Sequence, residues 1–307
     1  MIWVAWRQHR GECLLTAAAL AALAVFLLLT GLALAQDAQQ MGVTGCMAQS
    51  AADCGNLALS FATQSQGFNE IAGFFPLLPL LPGLLIGAPL VAREVRQRTY
   101  VLVWTQSITR ARWLSVKAAL VFLTGLLASM IILPLLIWWY SPLAQVNGRF
   151  ALAIFDFEGP VLVGATLLAL ALGILAGALV RRTVLAMFLT LAFFLAIRLP
   201  VEIFLRPYYE PPVVAVIPLH QAGPLPVSNQ DWVIGGGYID NQGHTVKFPT
   251  CSGGTDCVQT TGLRSIYWVY QPADRFWTFQ WIETGMYLAF SSLALGAAFW
   301  LVRRRLS

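Results

Sequence analysis

The sequence has 307 residues, of which 58% are hydrophobic and only 11% charged, whereas a soluble domain carries about 25% charged residues. So few charged residues could not cover the surface of a soluble core, which excludes an ordinary soluble protein. The formal net charge of +5 does not indicate nucleic-acid binding, because the basic residues stand at the ends of apolar runs, where positive charge orients membrane helices.

Six apolar stretches are long enough to cross the hydrocarbon core of a membrane, which needs about 20 helical residues. They predict an all-α integral membrane protein in which residues 1–307 form a single transmembrane domain. We number the stretches spans one to six in chain order: residues 13–35, 71–92, 113–140, 160–180, 184–205 and 282–302.

Proline and glycine predict local features of two spans. Span two should be kinked or broken, because each proline removes a backbone donor and clashes with the preceding turn; its prolines are Pro76, Pro79, Pro82 and Pro89. Glycines four residues apart are typical of closely packed membrane helices. Two such pairs are predicted to serve packing within one bundle: Gly83 with Gly87 in span two, and Gly173 with Gly177 in span four.

The distribution of positive charge predicts a multi-pass protein of the bacterial inner membrane with both ends in the cytoplasm. Cytoplasmic segments are enriched in Lys and Arg, and thirteen of the 19 such residues lie in segments 1–12, 93–117, 181–183 and 303–307. The segments after spans one, three and five hold only five. A cleaved signal peptide is the alternative for span one, because Ala33-Leu34-Ala35 resembles a cleavage site, although the apolar run is longer than is usual for one.

The connection between spans five and six, residues 206–281, is predicted to be extracytoplasmic and to form a small ordered cap, since loops of that length without their own structure are uncommon. Its glycine run at 235–237 is interpreted as a turn. Two close cysteine pairs fall on the predicted oxidising side, which favours local disulfides over free thiols: Cys46 with Cys54, and Cys251 with Cys257. No metal site is expected, because the three histidines form no local ligand cluster.

Motifs for catalysis are missing from the sequence. It contains no G-x-x-x-x-G-K-[ST] phosphate loop, no H-E-x-x-H metal motif and no G-x-S-x-G nucleophile motif. We therefore expect a protein that is not an enzyme and that binds no cofactor itself.

Span five ends in three charged residues, Arg198, Glu202 and Arg206, which share one helix face because they are four residues apart. At about 1.5 Å of rise per residue, Arg198 should lie near the outer interface of the membrane. Two interpretations stay open: interfacial anchors that extend their charges toward water, or the polar lining of an outer gate. A secondary transporter is disfavoured, because the spans lack ion-coupling groups at mid-membrane.

The inner segment 93–117 is the one inner connection with room for a helix. It is basic at both ends around the apolar residues 100–104. Such a segment rests on the membrane interface or docks on a partner protein, and the residues by themselves leave both open.

Three stretches carry a resemblance to a known family: AREVRQRT at 92–99 with WTQSITRARWLSVK at 104–117, WRQHR at 6–10, and YQPADRFW with FQWIE between 270 and 283. They resemble ABC-2 type transporter permeases of the type V exporter fold, and most closely the six-span permeases frequent in actinobacteria. The resemblance covers most of the chain. It implies that segment 1–12 lies along the inner membrane surface.

The resemblance further implies the permease subunit of an ABC exporter, which moves a hydrophobic or amphipathic substrate. ATP and Mg would be bound by a separate cytoplasmic P-loop ATP-binding subunit, in whose cleft the coupling segment 93–112 would sit. The implied partners are that subunit, a second permease copy forming a homodimer, and membrane lipids, with no nucleic acid. A non-transporting scaffold or sensor is the alternative. The implied coupling residues are Arg93, Glu94, Arg96, Arg98, Thr99, Trp104, Thr109 and Arg110.

Overall fold

The computed structural model of the chain describes residues 2–48, 54–97, 109–180, 182–219, 227–247 and 263–305. Five helices in these ranges are long and apolar enough to cross a membrane, and a bent pair of helices passes the same test when its two halves are taken as one span. The five unbroken spans are confirmed as apolar helices, and the bent pair lies at predicted span two. The five helices are Ile2–Gln40 (span one), Arg110–Asn147 (span three), Val161–Leu179 (span four), Thr183–Pro200 (span five) and Phe276–Arg305 (span six).

Span two is broken, as its prolines predict. The halves Gln66–Leu77 and Leu80–Arg93 meet at 41°, because the prolines interrupt the backbone hydrogen bonds that would keep one helix straight. Its pieces are the helices Gln66–Ala72, Leu80–Pro82 and Ala88–Gln97, the 3-10 turn Phe75–Leu77 and the π-helical turn Gly83–Gly87.

Two short helices, Val43–Ala48 and Cys54–Gln64, connect span one to span two. The disulfide between Cys46 and Cys54 joins them, so the first of the two predicted bridges is confirmed. Cys251 and Cys257 lie outside the described residues.

Span four is the central helix of the bundle: 78% of its most apolar stretch is buried, against 17% for span one. The glycine pairs explain how closely span two approaches it. A Cβ at Gly83 would lie 2.5 Å from the Ala169 carbonyl oxygen, and one at Gly177 would lie 2.6 Å from the Ala88 carbonyl oxygen. Only glycine allows the two backbones to come so near. The prediction that these glycines serve packing within the bundle is confirmed.

Span one packs on span three at the edge of the bundle. The Trp139 indole N–H donates a 2.8 Å hydrogen bond to the Thr30 hydroxyl. The rings of Phe68 and Phe75, from span two, pack edge-on against the same indole. Trp139 therefore ties three spans together inside the apolar region.

The connection between spans five and six folds as a sheet, so the expected all-α class is wrong for this segment. The sheet is antiparallel, with strand order β1-β4-β2-β3. Its β-branched and aromatic residues favour strands. The strands are β1 (Val213–Pro218), β2 (Trp232–Asp240), β3 (Thr245–Val246) and β4 (Leu263–Gln271).

The glycine run 235–237 lies within β2, so its interpretation as a turn is wrong. The two neighbouring strands explain the glycine at its end. A Cβ at Gly237 would lie 2.5 Å from the Val246 carbonyl oxygen of β3 and 3.0 Å from the Tyr267 ring of β4, so a strand residue with a side chain would not fit there.

We call the end of the bundle that carries the sheet the cap end. The opposite end, which we call the arginine end, carries Arg93, Arg182 and Arg303. Thr109 caps the first turn of span three there, since its hydroxyl accepts a hydrogen bond from the Arg112 backbone N–H.

Candidate functional site: a buried charge network at the cap end

The three charged residues of span five are buried inside the protein. Arg198 is 2% exposed, Glu202 7% and Arg206 1%. The helix Thr183–Pro200 continues as a π-helical turn, Val201–Leu205, and a 3-10 turn, Arg206–Tyr208. The burial does not fit an interfacial anchor, whose charge would extend to water.

Asp156 supplies the first partner for both arginines. A short helix, Leu152–Phe155, ends at Asp156 just before span four begins. One carboxylate oxygen lies 2.6 Å from Arg198 Nη2 and the other 2.5 Å from Arg206 Nη2. Burial by itself would raise the pKa of the Asp156 carboxyl, but the two guanidinium groups outweigh it and hold that pKa below its usual value.

Glu283 of span six supplies the second partner for Arg206. The two side chains meet at two points, Nε to Oε2 at 2.8 Å and Nη2 to Oε1 at 2.7 Å, a geometry that makes arginine–carboxylate pairs strong. The hydroxyls of Tyr209 and Tyr287 donate to the same carboxylate at 3.1 Å and 2.9 Å. Glu283 is fully buried, so all of its neighbours at this point belong to the protein.

Glu202 lies between the two arginines. Its Oε1 is 2.5 Å from Arg198 Nε and 4.0 Å from Arg206 Nη2. The network thus holds three carboxylates and two guanidinium groups, a formal charge of −1. It connects the start of span four, the end of span five and the start of span six.

Aromatic rings separate the network from the sheet. Arg206 lies over the Phe155 ring at 4.3 Å, a favourable contact for a cation. Phe150 is in ring contact with Phe155, with Trp232 of β2, and with Phe276 of span six. These rings keep water away from the charges, which strengthens the ion pairs.

Side chains of the segment 270–283 fasten the sheet and span six to the network. The Gln271 amide donates to the carbonyl oxygens of Pro207 and Glu210 at 3.0 Å and 2.7 Å. Arg275 pairs with the Glu210 carboxylate at 2.8 Å. Gln280 donates to the Phe155 carbonyl at 2.6 Å and accepts from the first N–H of span four at 3.2 Å.

The predicted coupling residues lie at the arginine end or outside the described residues. Arg93 near the end of span two and Thr109 just before span three are exposed. Glu94 and Arg96 belong to the last helix of span two, and Arg110 begins span three, but their side chains are not described. Arg98, Thr99 and Trp104 lie outside the described residues.

Sequence reasoning missed Asp156 and Glu283, the two carboxylates that come from outside span five. Their sequence separations from Arg206 are 50 and 77 residues, so no local spacing connects them. Their position in the sequence was the signal that could have found them. Each acid stands beside the boundary of an apolar run, on the side of the membrane predicted for Arg206.

The long apolar helices define a multi-pass membrane protein. The model of the ABC-2 membrane transporter related family matches residues 17–206, well over half of the chain, and the chain belongs to this family. The match runs from span one through the arginines of span five. Members are permeases of ABC exporters, generally non-catalytic and typically paired with an ATP-binding subunit. No curated protein and no solved structure matches the chain.

Proposed function

We propose that this chain is the transmembrane permease subunit of an exporter that moves a hydrophobic or amphipathic substrate, using ATP that a separate P-loop subunit hydrolyses with Mg. The observation that carries the proposal is the family match over residues 17–206, which includes the whole segment between spans two and three. A second copy of the permease completes the transmembrane part of the transporter.

The coupling segment 93–112 follows the broken span two, whose arginine-end half packs on span four through Gly87 and Gly177. A push on this segment would therefore reach the central helix through directly touching backbones. ATP binding must favour one state of the permease over another for such a push to drive transport.

The proposal includes an orientation: by the excess of Lys and Arg in cytoplasmic segments, the arginine end would face the cytoplasm and the sheet would lie outside. Cysteines introduced at the exposed positions Asn56 and Thr109 test it in intact bacterial cells. An impermeant maleimide should label the cysteine at position 56 from outside, and the cysteine at position 109 only after the membrane is opened. The reverse pattern would contradict the orientation.

The decisive experiment co-expresses the chain with a P-loop ATPase encoded next to it. The two proteins should purify together, and vesicles containing both should move a short-chain fluorescent phospholipid or a hydrophobic cationic dye in an ATP-dependent way. Changing Glu94 and Arg98 together to alanine should uncouple ATP hydrolysis from that movement.

The matched control changes Arg303 and Arg304 to alanine, two exposed charges at the same end but outside the coupling segment, and should leave coupling intact. Failure of the chain to associate with the ATPase under gentle extraction would contradict the proposal.

A further inference from the structure

Strand β1 of the cap sheet continues an exposed apolar surface that starts on span five. The end of that span exposes Ile203, Phe204 and Tyr208, and β1 exposes Val214 and Val216. Each of these five side chains is more than half exposed. An exposed apolar run therefore leads from a membrane-spanning segment directly into the sheet.

No unpaired charge interrupts this run between residues 203 and 219, all of which the structure describes. Arg206 is buried in the network, and the Glu210 carboxylate pairs with Arg275 at 2.8 Å. Residues 211–219 include no Lys, Arg, Asp or Glu. Edge strands that face water usually carry charges, which prevent pairing with other chains. Strand β1 lacks this protection, although β4 is its one partner among the described strands.

The opposite edge of the sheet, β3, has the opposite character. Residues 241–247 are all exposed, and they include Gln242, His244 and Lys247. The Asp240 carboxylate accepts hydrogen bonds from the backbone N–H groups of Gln242 and His244, both at 2.8 Å. Three strand spacings, about 14 Å in all, separate the two edges of the four-stranded sheet. The sheet thus has an apolar edge and a polar edge.

Aromatic side chains beside β1 are of the kind found where a membrane meets water. Tyr208 of span five and Trp277 and Trp281 at the start of span six are each more than half exposed. Tyr and Trp are enriched at that boundary because their rings are apolar but carry one polar group. Four residues separate Tyr208 from β1, and four separate β4 from span six. These short connections hold β1 close to the level of the rings.

The polar layer of a membrane suits β1 better than its hydrocarbon core does. The outer side of an edge strand presents backbone N–H and C=O groups, which would lose their hydrogen bonds to water in hydrocarbon. The headgroup layer, about 5–7 Å thick on each side, supplies water and phosphate oxygens to those groups and apolar contacts to the valines. A strand without charges is stable in such a layer.

We propose that β1 is the edge by which the cap rests on the lipid surface, in the phospholipid headgroup layer on the cap side of the membrane, while β3 points into water. Val214 and Val216 contact lipid there, beside the exposed rings of spans five and six. This contact requires neither transport nor an ATP-binding subunit.

Fluorescence quenching of the full-length chain in phosphatidylcholine nanodiscs tests the proposal. An environment-sensitive fluorescent amino acid replaces Val214 or Val216 on β1, or Val246 on β3. A phosphatidylcholine with a nitroxide on its headgroup should quench the probe at 214 and at 216 at least about threefold more than at 246, since the two edges are about 14 Å apart. Iodide in the water should quench in the reverse order.

Val246 is the matched control, because it is an exposed valine on the other edge strand. Two positions on β1 are tested, so that either one decides the result if the other variant does not fold. Iodide quenching at all three positions without lipid quenching would mean that β1 faces water, and would overturn the proposal.

Protection of positions 214 and 216 from both quenchers would mean that protein covers β1, as a second copy of the chain could, and would overturn the proposal as well. Because no ATPase takes part in the measurement, these outcomes are independent of whether the chain associates with an ATP-binding subunit.

Discussion

The two ends of the bundle use arginine in opposite ways. At the cap end, Arg198 and Arg206 are buried and bind carboxylates from span five, from span six and from the connection before span four. At the arginine end, Arg182, Arg303 and Arg304 are exposed. These arginines cannot be distinguished by residue type, but their surroundings in the structure give them different roles. Buried charge fixes how helices pack, whereas exposed charge faces the surroundings of the protein.

The difference also bears on the proposed transport. The cap end is closed by the chain's own side chains and rings, so movement there must exchange one internal contact for another. The arginine end contains the segment that our proposal assigns to an ATPase. Under that proposal, the free energy of ATP hydrolysis would reach the permease at the exposed end, away from the buried charge network.

The largest expected difference between the ends comes from removing one arginine at each. Arg206→Met leaves the buried Glu283 carboxylate without a cation, and removing one partner of a buried pair costs about 3–5 kcal/mol. Arg304→Met removes an exposed arginine that lies over the Trp300 ring, a contact worth about 0.5–1 kcal/mol at an exposed site. Thermal unfolding in detergent compares the two variants, and equal losses would contradict the distinction between the ends.

A smaller effect is expected for a neutral polar side chain at the cap end. Gln280→Leu leaves the Phe155 carbonyl and the Val161 N–H without their partner, which should reduce the free energy of unfolding by about 2–3 kcal/mol. Gln66→Leu changes an exposed glutamine near the same end. Chemical unfolding of both variants should show a loss in the first and almost none in the second; a similar loss in both would mean that burial is not the cause.

The smallest expected effect is a pH dependence of stability that distinguishes Glu158 from the neighbouring Asp156. Burial raises the pKa of Glu158 despite the nearby Arg149, whereas the arginines lower that of Asp156. A carboxyl whose folded pKa is raised contributes stability below its ordinary pKa, about 4.3 for glutamate, and loses it as pH rises through the folded value. The wild type should therefore lose stability over that window.

Glu158→Gln should remove this loss. Unfolding temperatures of the wild type and the variant, followed from pH 4 upward, should diverge in the variant's favour as the pH rises. A constant difference between the two proteins across that range would contradict the assignment to Glu158.

Several features were predictable because they depend on neighbours in the sequence. Apolar length determines which stretches can cross a membrane, proline determines where span two breaks, and Cys46 and Cys54 are near enough to form a local disulfide. The glycine pairs were predictable as packing positions because a spacing of four places both on one helix face. The sheet was missed because its strands pair over long separations, from 213 to 270 in the outermost pair.

The sequence by itself determined the spans, the break in span two and the shared face of Arg198, Glu202 and Arg206. Only the tertiary structure decided what that face meets. Helical spacing fixes which residues of one span point the same way, but not which other span packs there, since that choice depends on the shapes of all the helices together. The packing of the helices around span five brought Asp156 and Glu283 to the arginines, so that the charges form a buried network.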